Sequence, residues 1–288
     1  MYRLLIIISI LFLLSLKGFA QTDSIFAMNS FGEFSDASSI SSSRGEFIFV
    51  SDIGKNQIFK FDVNCNLLQT YGGTGLGKYE LNQPVSIDAS NGFDIFISDQ
   101  LNNRIIRLDY KLNLISIFEF NIYNIQAENS NKIFNPASLT TISTGNLFVL
   151  CDAGNYRSVR IKDFNDIDLF FGQYFDNIGD PVKIVKGISL DIWILDKSSN
   201  QLMNFNNLGI FVKKVKLSES LSPISIAYID KNLAVIAKGI LYFYDIETSK
   251  YSRAYYFPEI EKIKDISFLD DKTLFVLSKN RVFILKLN

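Results

Sequence analysis

Hydrophobic residues recur along the chain in short runs of similar spacing, and no stretch keeps the period of a helix. One recurring run is almost continuously apolar: it reads FIFVSD from Phe47, DIFISD from Asp94, NLFVLCD from Asn146 and DIWILD from Asp191. Turn residues such as Gly, Asn and Asp separate these runs from their neighbours. The pattern predicts an all-β protein.

The runs group into six similar units, each with about four strands in about 45 residues, a period typical of a β-propeller blade. In four units the first run opens with a proline: Pro84, Pro136, Pro181 and Pro223. We therefore predict a six-bladed β-propeller with four-stranded antiparallel blades. The predicted blades span residues 35–73, 84–120, 136–173, 181–216, 223–257 and 263–288.

The two ends of the chain support a closed ring. The last unit contains only three runs, and an unassigned run from Asp23 to Gly32 precedes the first unit. If this N-terminal strand joins the last blade, every blade has four strands and no blade edge is left incomplete. We predict that residues 23–32 close the ring in this way.

Residues 1–20 have the pattern of an export signal. Arg3 precedes an apolar stretch from Leu4 to Leu16, and Gly18 and Ala20 occupy the small-residue positions of a cleavage site. The stretch is shorter than the roughly 20 residues that span a bilayer, and no later segment reaches that length. We predict an exported protein, periplasmic or secreted, consisting of a propeller over residues 21–288 with no membrane span after cleavage; an uncleaved anchor is the alternative.

Composition excludes several classes of function. The chain has no histidine, which excludes Ser-His-Asp and Cys-His catalysis and histidine-ligated zinc. The formal net charge of −1 provides no basic surface for a nucleic acid. The two cysteines, Cys65 and Cys151, fall in a turn and at a strand end two units apart, so we expect two free thiols.

Four aspartates occupy the same position in successive units, at the end of the second strand: Asp52, Asp99, Asp152 and Asp196. Carboxylates around a channel can hold a hard cation such as Ca²⁺ or bind a basic partner. The favoured alternative is structural, because an Asp at a strand end accepts backbone N–H bonds and closes the following turn. No other cofactor is expected.

Two of these aspartates are followed by arginine and asparagine: Arg104 and Arg157, with Asn103 and Asn155. These side chains either grip a carboxylate, phosphate or sugar hydroxyl, or form Asp–Arg pairs that rigidify the turn. The connection from Asn121 to Asn135 is the longest between units, and long loops on a rigid scaffold often carry function. We predict that it contacts a partner.

The units resemble NHL repeats, a family of six-bladed propellers. The second unit carries the resemblance best, through Pro84, Ser98-Asp99, Asn103-Arg104-Ile105 and Leu108-Asp109, while Ala237 and Ser278 replace the expected Asp in the last two units. The resemblance implies the fold and leaves the activity open.

We favour a monomeric binding or scaffolding propeller that presents loops to a protein, peptide or glycan of the envelope or exterior, over an enzyme. The alternatives are a Ca²⁺-dependent lyase or hydrolase with a carboxylate-lined channel, as in some relatives of this fold, and the sensor part of an envelope assembly.

Overall fold

The computed structural model is a ring of six β-sheets around a central channel, which confirms the predicted six-bladed propeller. Within each blade the strands pair in chain order, and the first strands of adjacent blades contact one another around the channel. The structure describes residues 22–43, 45–120, 132–142, 147–163, 166–173, 177–218 and 221–287.

The strands follow the predicted units closely. Blade I consists of β3 (Ala37–Ser43), β4 (Phe47–Asp52), β5 (Gln57–Asp62) and β6 (Leu67–Gly72). Blade II consists of β7 (Pro84–Asp88), β8 (Asp94–Asp99), β9 (Arg104–Asp109) and β10 (Leu114–Glu119). Blade III consists of β11 (Pro136–Thr141), β12 (Leu147–Asp152), β13 (Arg157–Lys162) and β14 (Asp166–Phe171). Blade IV consists of β15 (Pro181–Lys186), β16 (Ile192–Asp196), β17 (Gln201–Phe205) and β18 (Phe211–Lys216). Blade V consists of β19 (Pro223–Ile229), β20 (Asn232–Ala237), β21 (Ile240–Asp245) and β22 (Lys250–Tyr256). Blade VI contains β23 (Ile263–Phe268), β24 (Thr273–Ser278) and β25 (Val282–Lys286).

The N-terminal residues close the ring, as predicted, but they do so with two short strands rather than one. Strand β2 (Asn29–Phe31) pairs antiparallel with β25 and completes blade VI. Strand β1 (Thr22–Ser24) instead lies parallel to β22 and adds a fifth strand to blade V. Residues 23–32 are therefore divided between two blades, because the chain bends at 25–28 and each piece covers a different sheet edge.

Burial differs between the second strand and the outer strand of a blade. The second strand of each blade is buried along almost its whole length, as in β4 and β16, because neighbouring blades cover both of its faces. The outer strand β18 alternates between half-buried and exposed residues, as expected for a strand with one solvated face. Among the described residues, six apolar clusters each span one pair of adjacent blades, with Phe96 and Phe148 in contact across blades II and III.

The two ends of the ring form an upper and a lower face. The upper face holds the turns between second and third strands and the connections between blades; the lower face holds the other turns. Cys65, in a lower turn, and Cys151, buried near the upper end of β12, are both free thiols, as expected. In the part of the chain that the structure describes, no helix is long and apolar enough to cross a bilayer.

Some predicted features lie outside the described residues. They are the export signal at 1–20 and most of the connection between blades II and III, of which only residues 132–135 are described.

Candidate functional site

The four predicted aspartates all lie at the upper end of the second strand of their blade, and all four are completely buried. Each is paired in register with the first residue of the third strand, for example Asp52 with Gln57 and Asp196 with Gln201. Their carboxylates accept hydrogen bonds from the chain itself. These are the bonds of the structural alternative, in which a buried carboxylate closes a turn.

In blade I the carboxylate holds two segments together. Asp52 Oδ1 accepts the backbone N–H groups of Gly54 (2.9 Å) and Asp36 (2.9 Å), and Oδ2 accepts that of Ser35 (2.7 Å). The turn after β4 is thereby tied to the segment before β3. No charged partner takes part in these bonds.

Blade IV repeats the arrangement with hydroxyl groups added. Asp196 accepts the backbone N–H groups of Gly179 (3.1 Å) and Asp180 (2.7 Å) and the hydroxyls of Ser198 (2.9 Å) and Ser199 (2.6 Å). Burial acts to raise the pKa of Asp196, but the hydrogen bonds from Ser199, Asp180, Gly179 and Ser198 outweigh it and hold the pKa below its ordinary value. The carboxylate is therefore ionised and fully occupied.

In blade II an arginine joins the aspartate. Arg104 Nε lies 2.7 Å from Asp99 Oδ2, and both side chains are buried. The rest of the guanidinium donates to the carbonyls of Leu76 (3.2 Å), Gly77 (2.9 Å) and Glu80 (2.8 Å). Burial raises the pKa of Asp99, against the hydrogen bonds that it accepts. Arg104 therefore fixes the connection between blades I and II to the turn of blade II.

Blade III has the same pair. Arg157 Nε lies 2.8 Å from Asp152 Oδ2, and its Nη2 donates to the carbonyl of Lys132 at 2.8 Å. Asn155 bridges the same two groups, and Asp152 also accepts the backbone N–H of Phe134 at 2.7 Å. Burial raises the pKa of Asp152 as well. The end of the connection between blades II and III is thus held against the turn of blade III.

The predicted binding groups Asn103, Arg104, Asn155 and Arg157 consequently direct their bonds into the protein. Asn103 has a left-handed backbone (φ 49°) and donates through Nδ2 to the carbonyls of Phe120 (3.4 Å) and Ile133 (3.1 Å). All these groups serve the blade connections. By holding the connections, they position neighbouring side chains that the strand pattern did not single out.

Five large side chains are more than half exposed on the upper face of blades II and III. They are carried by the two connections and by the two turns, and are called the upper patch here: Leu76, Tyr79, Leu101, Phe134 and Tyr156. Asn102 Nδ2 donates to the carbonyl of Gly75 (2.9 Å), and Gly154 N donates to that of Phe134 (2.9 Å). These bonds hold each turn against the connection beside it.

Tyr156 is strained at the edge of the upper patch. Its backbone is left-handed (φ 54°, ψ 46°), a conformation that bulky residues rarely adopt, and it is 63% exposed. The equivalent residues of blades I, II and IV are Asn56, Asn103 and Asn200, which tolerate this conformation and donate hydrogen bonds to the following connection. The tyrosine therefore occupies, at a conformational cost, a turn position that asparagine fills in the other three blades.

The channel is lined by first strands and not by the four aspartates. The third residue of each first strand faces it, giving a ring of Ser39, Ser86, Ser138, Lys183, Ser225 and Asp265. A cavity of about 240 Å³ opens at the upper end and one of about 190 Å³ at the lower end, and Lys183 lines both.

An ion pair spans this ring. Lys183 Nζ lies 2.8 Å and 2.6 Å from the two carboxylate oxygens of Asp265, which also accept the hydroxyls of Ser39 (2.9 Å) and Ser225 (2.5 Å). Blades I, IV, V and VI therefore meet at one carboxylate. The sequence contains a pattern that could have singled out this pair. Several first strands begin with Pro-x-Ser, and Lys183 and Asp265 stand where the serine is expected.

The buried carboxylates described above lie in different blades, and each accepts hydrogen bonds from donors of the protein itself. Within the described ranges, no group of three or more Cys, Asp or Glu side chains is placed to hold a metal ion.

Solved structures are similar to this chain in fold. Streptogramin B lyase matches with a TM-score of 0.62 and 14% identity, over 90% of this chain and 97% of that chain. Selenomethionine-substituted virginiamycin B lyase from Staphylococcus aureus matches with a TM-score of 0.61 and 14% identity, over 90% of this chain and 99% of that chain. A catalytically inactive histidine-to-alanine variant of virginiamycin B lyase from Staphylococcus aureus, determined with quinupristin, matches with a TM-score of 0.61 and 17% identity, over 88% of this chain and 80% of that chain.

These identities establish a likeness of fold. The sequence matches no protein-family model and no curated protein, so the NHL resemblance stays a prediction.

Proposed function

We propose that this chain is an exported, divergent NHL-like propeller that binds a protein or peptide through the upper patch. The observation that carries the proposal is that Leu76, Tyr79, Leu101, Phe134 and Tyr156 are exposed together on segments held by buried Asp–Arg pairs. Exposed apolar side chains gathered on one face favour an interaction site, and anchors held in place before binding lose little entropy on association. Export is supported by the pattern of residues 1–20.

The polar surroundings of the upper patch favour a peptide-like partner. Lys78 and Lys132 lie on the same two connections, and Gln100 and Asn135 line the adjacent upper cavity. Apolar anchors surrounded by amide and ammonium donors suit backbone carbonyls and carboxylates of a polypeptide. The rigid presentation of these groups is what a binding propeller requires.

The enzyme alternative draws support from its structural neighbours, which are lyases, one of them inactivated by loss of a histidine. This chain has no histidine, so that histidine has no counterpart here. The acidic residues also fit a Ca²⁺-dependent channel poorly: Asp265 is saturated by Lys183, Ser39 and Ser225. A lyase reaction in this chain would therefore have to use groups other than histidine and an Asp265-bound Ca²⁺.

Photo-cross-linking in the native host tests the proposal. Benzoylphenylalanine replaces Leu101 or Tyr156 on the upper patch and, as the matched control, the exposed Phe93 on the lower face. We expect a discrete protein adduct from both upper positions and none from Phe93. The adduct partner is then purified and titrated against the protein: Leu101→Asp should weaken binding by about tenfold or more, since it buries a charge, whereas Phe93→Asp should not.

Two results would overturn the proposal. One is an adduct of equal yield from Phe93, or none from the upper positions. The other is an adduct that glycosidases remove and proteases do not, which would assign a glycan partner instead.

A further inference from the structure

Two turns at the lower end of blade IV expose a cluster of aliphatic side chains. One joins β15 to β16 and the other joins β17 to β18, and together they expose four aliphatic side chains: Ile188, Leu190, Leu208 and Ile210. Residues 187–190 and 206–210 contain no charged side chain. The adjoining Val212 on β18 is also exposed.

Neighbouring blades show what such turns ordinarily contain. The lower turns of blade V hold Asp230, Lys231 and Glu247, and the first lower turn of blade VI holds Asp270 and Lys272. Polar and charged residues are the norm at exposed hairpin turns. The aliphatic side chains of blade IV point into solvent, so burial within the fold does not account for them.

Hydrogen bonds close both turns, and in the β15–β16 turn Gly187 N donates to the carbonyl of Asp191 (2.8 Å). Asn206 Oδ1 accepts the backbone N–H groups of Leu208 (3.0 Å) and Ile210 (2.9 Å), and Arg160 of blade III donates to the carbonyl of Asn207. In the other turn Leu190 has a left-handed backbone (φ 61°), which costs free energy for a leucine. The turns are therefore fixed as two convex apolar tips.

The charges of this end of blade IV are mainly positive. Between Ile184 and Ile194 and between Leu202 and Lys214, the charged residues are Lys186, Asp191, Lys213 and Lys214. Asp191 accepts hydrogen bonds from Trp193 Nε1 (2.6 Å) and Asn204 Nδ2 (3.1 Å), so its charge is engaged within the blade.

On the flanking blades, acids at this edge are largely paired with bases. Asp168 pairs with Arg160 and Lys162 in blade III, and Glu247 pairs with Lys231 in blade V. Asp163, Asp166 and Asp230 are further exposed acids on these two blades. Along the chain, the charged residues closest to the aliphatic tips are Asp191, which is engaged within the blade, and the three lysines Lys186, Lys213 and Lys214.

We propose that the lower tip of blade IV docks on an anionic phospholipid surface. Ile188, Leu190, Leu208 and Ile210 enter the headgroup region, while Lys186 and Lys214 approach the lipid phosphates. A bilayer accepts convex apolar tips without a complementary pocket, and anionic lipid attracts neighbouring lysines. Protein interfaces are instead centred on Trp, Tyr and Arg, which these two turns do not contain.

Vesicle sedimentation tests this proposal with the full mature chain. Vesicles of phosphatidylglycerol and phosphatidylcholine in equal amounts should sediment the protein, and vesicles of phosphatidylcholine alone should do so about tenfold less well. Ile188→Asp combined with Leu208→Asp should reduce binding by at least about tenfold, because each places a charge where an apolar tip enters the membrane. The matched control is Leu76→Asp on the upper patch, which should sediment like the wild-type protein.

Each variant is first checked for an unchanged circular dichroism spectrum and thermal midpoint. The proposal is overturned if the wild-type protein stays in the supernatant, if the two vesicle types bind it equally, or if the double variant sediments like the wild type. A protein adduct from a photo-cross-linker at Leu208, without vesicle binding, would assign this surface to a protein partner. All these readouts are independent of the partner of the upper patch.

Discussion

The third strands of blades II and III begin with an arginine where those of blades I and IV begin with a glutamine, and this difference changes what the preceding turn does. All four blades contain a buried aspartate at the same position. In blades I and IV it accepts bonds from neutral groups of its own turn and of the preceding segment. In blades II and III it neutralises an arginine that holds a blade connection. A repeated residue thus closes turns generally, and its partner determines whether the turn also supports a surface.

Removing the carboxylate should separate the two kinds of turn most strongly. Asp152→Ala leaves Arg157 buried without a counter-charge, and we expect the free energy of unfolding to fall by about 3–5 kcal/mol. Asp196→Ala loses only hydrogen bonds from neutral groups and should cost about 1–3 kcal/mol. Urea unfolding measures both values. Equal losses would show that the arginine is not a buried charge, and Arg157→Met added to Asp152→Ala should restore part of the loss.

The pH dependence of stability should have opposite signs in the two kinds of turn. The pKa of Asp152 is raised by burial, so the folded protein takes up this proton at higher pH than the unfolded chain. The destabilisation caused by Asp152→Asn should therefore grow as the pH falls from neutrality towards the ordinary value of 3.8.

The pKa of Asp196 is lowered, so the stability that its ionised form contributes is lost as the pH falls below 3.8. The destabilisation caused by Asp196→Asn should shrink in that range. Urea titrations from about pH 7 to about pH 3 measure both variants against the wild type. The same sign for both would contradict the assignment.

The smallest expected effect concerns the strained tyrosine of blade III. Tyr156→Asn should raise the free energy of unfolding by about 1 kcal/mol, because asparagine tolerates the left-handed backbone better. The reverse change in blade II, Asn103→Tyr, should lower it, since the bonds to Phe120 and Ile133 are lost. Thermal midpoints measure both changes. A lower midpoint for Tyr156→Asn would mean that the tyrosine supports the fold.

The sequence predicted most of the fold because blades are built from local contacts that repeat. The apolar runs of β4, β8, β12 and β16 and the aspartates that end them follow from neighbours a few residues away. The missing fourth strand of the last unit likewise predicted the pairing of β2 with β25.

The sequence did not predict the ion pair of the channel or the exposed residues of the upper patch, and the reason is physical. Lys183 and Asp265 are 82 residues apart and meet only because the ring brings blades IV and VI together. The exposure of Leu76 and Phe134 depends on how Arg104, Arg157 and Asp152 hold the connections, which the strand pattern does not encode.

Pairing of β2 with β25 also imposes an order in time. Asn29 is synthesised well before its partner Ile284, which lies at the far end of the six blades in the sequence. Until then the final sheet has an open border on β24 and residues 29–31 have nothing to pair with, a situation that invites association between strands of different molecules. The ring therefore closes only after β25 has been made, and a chain truncated before β25 leaves these strand edges exposed.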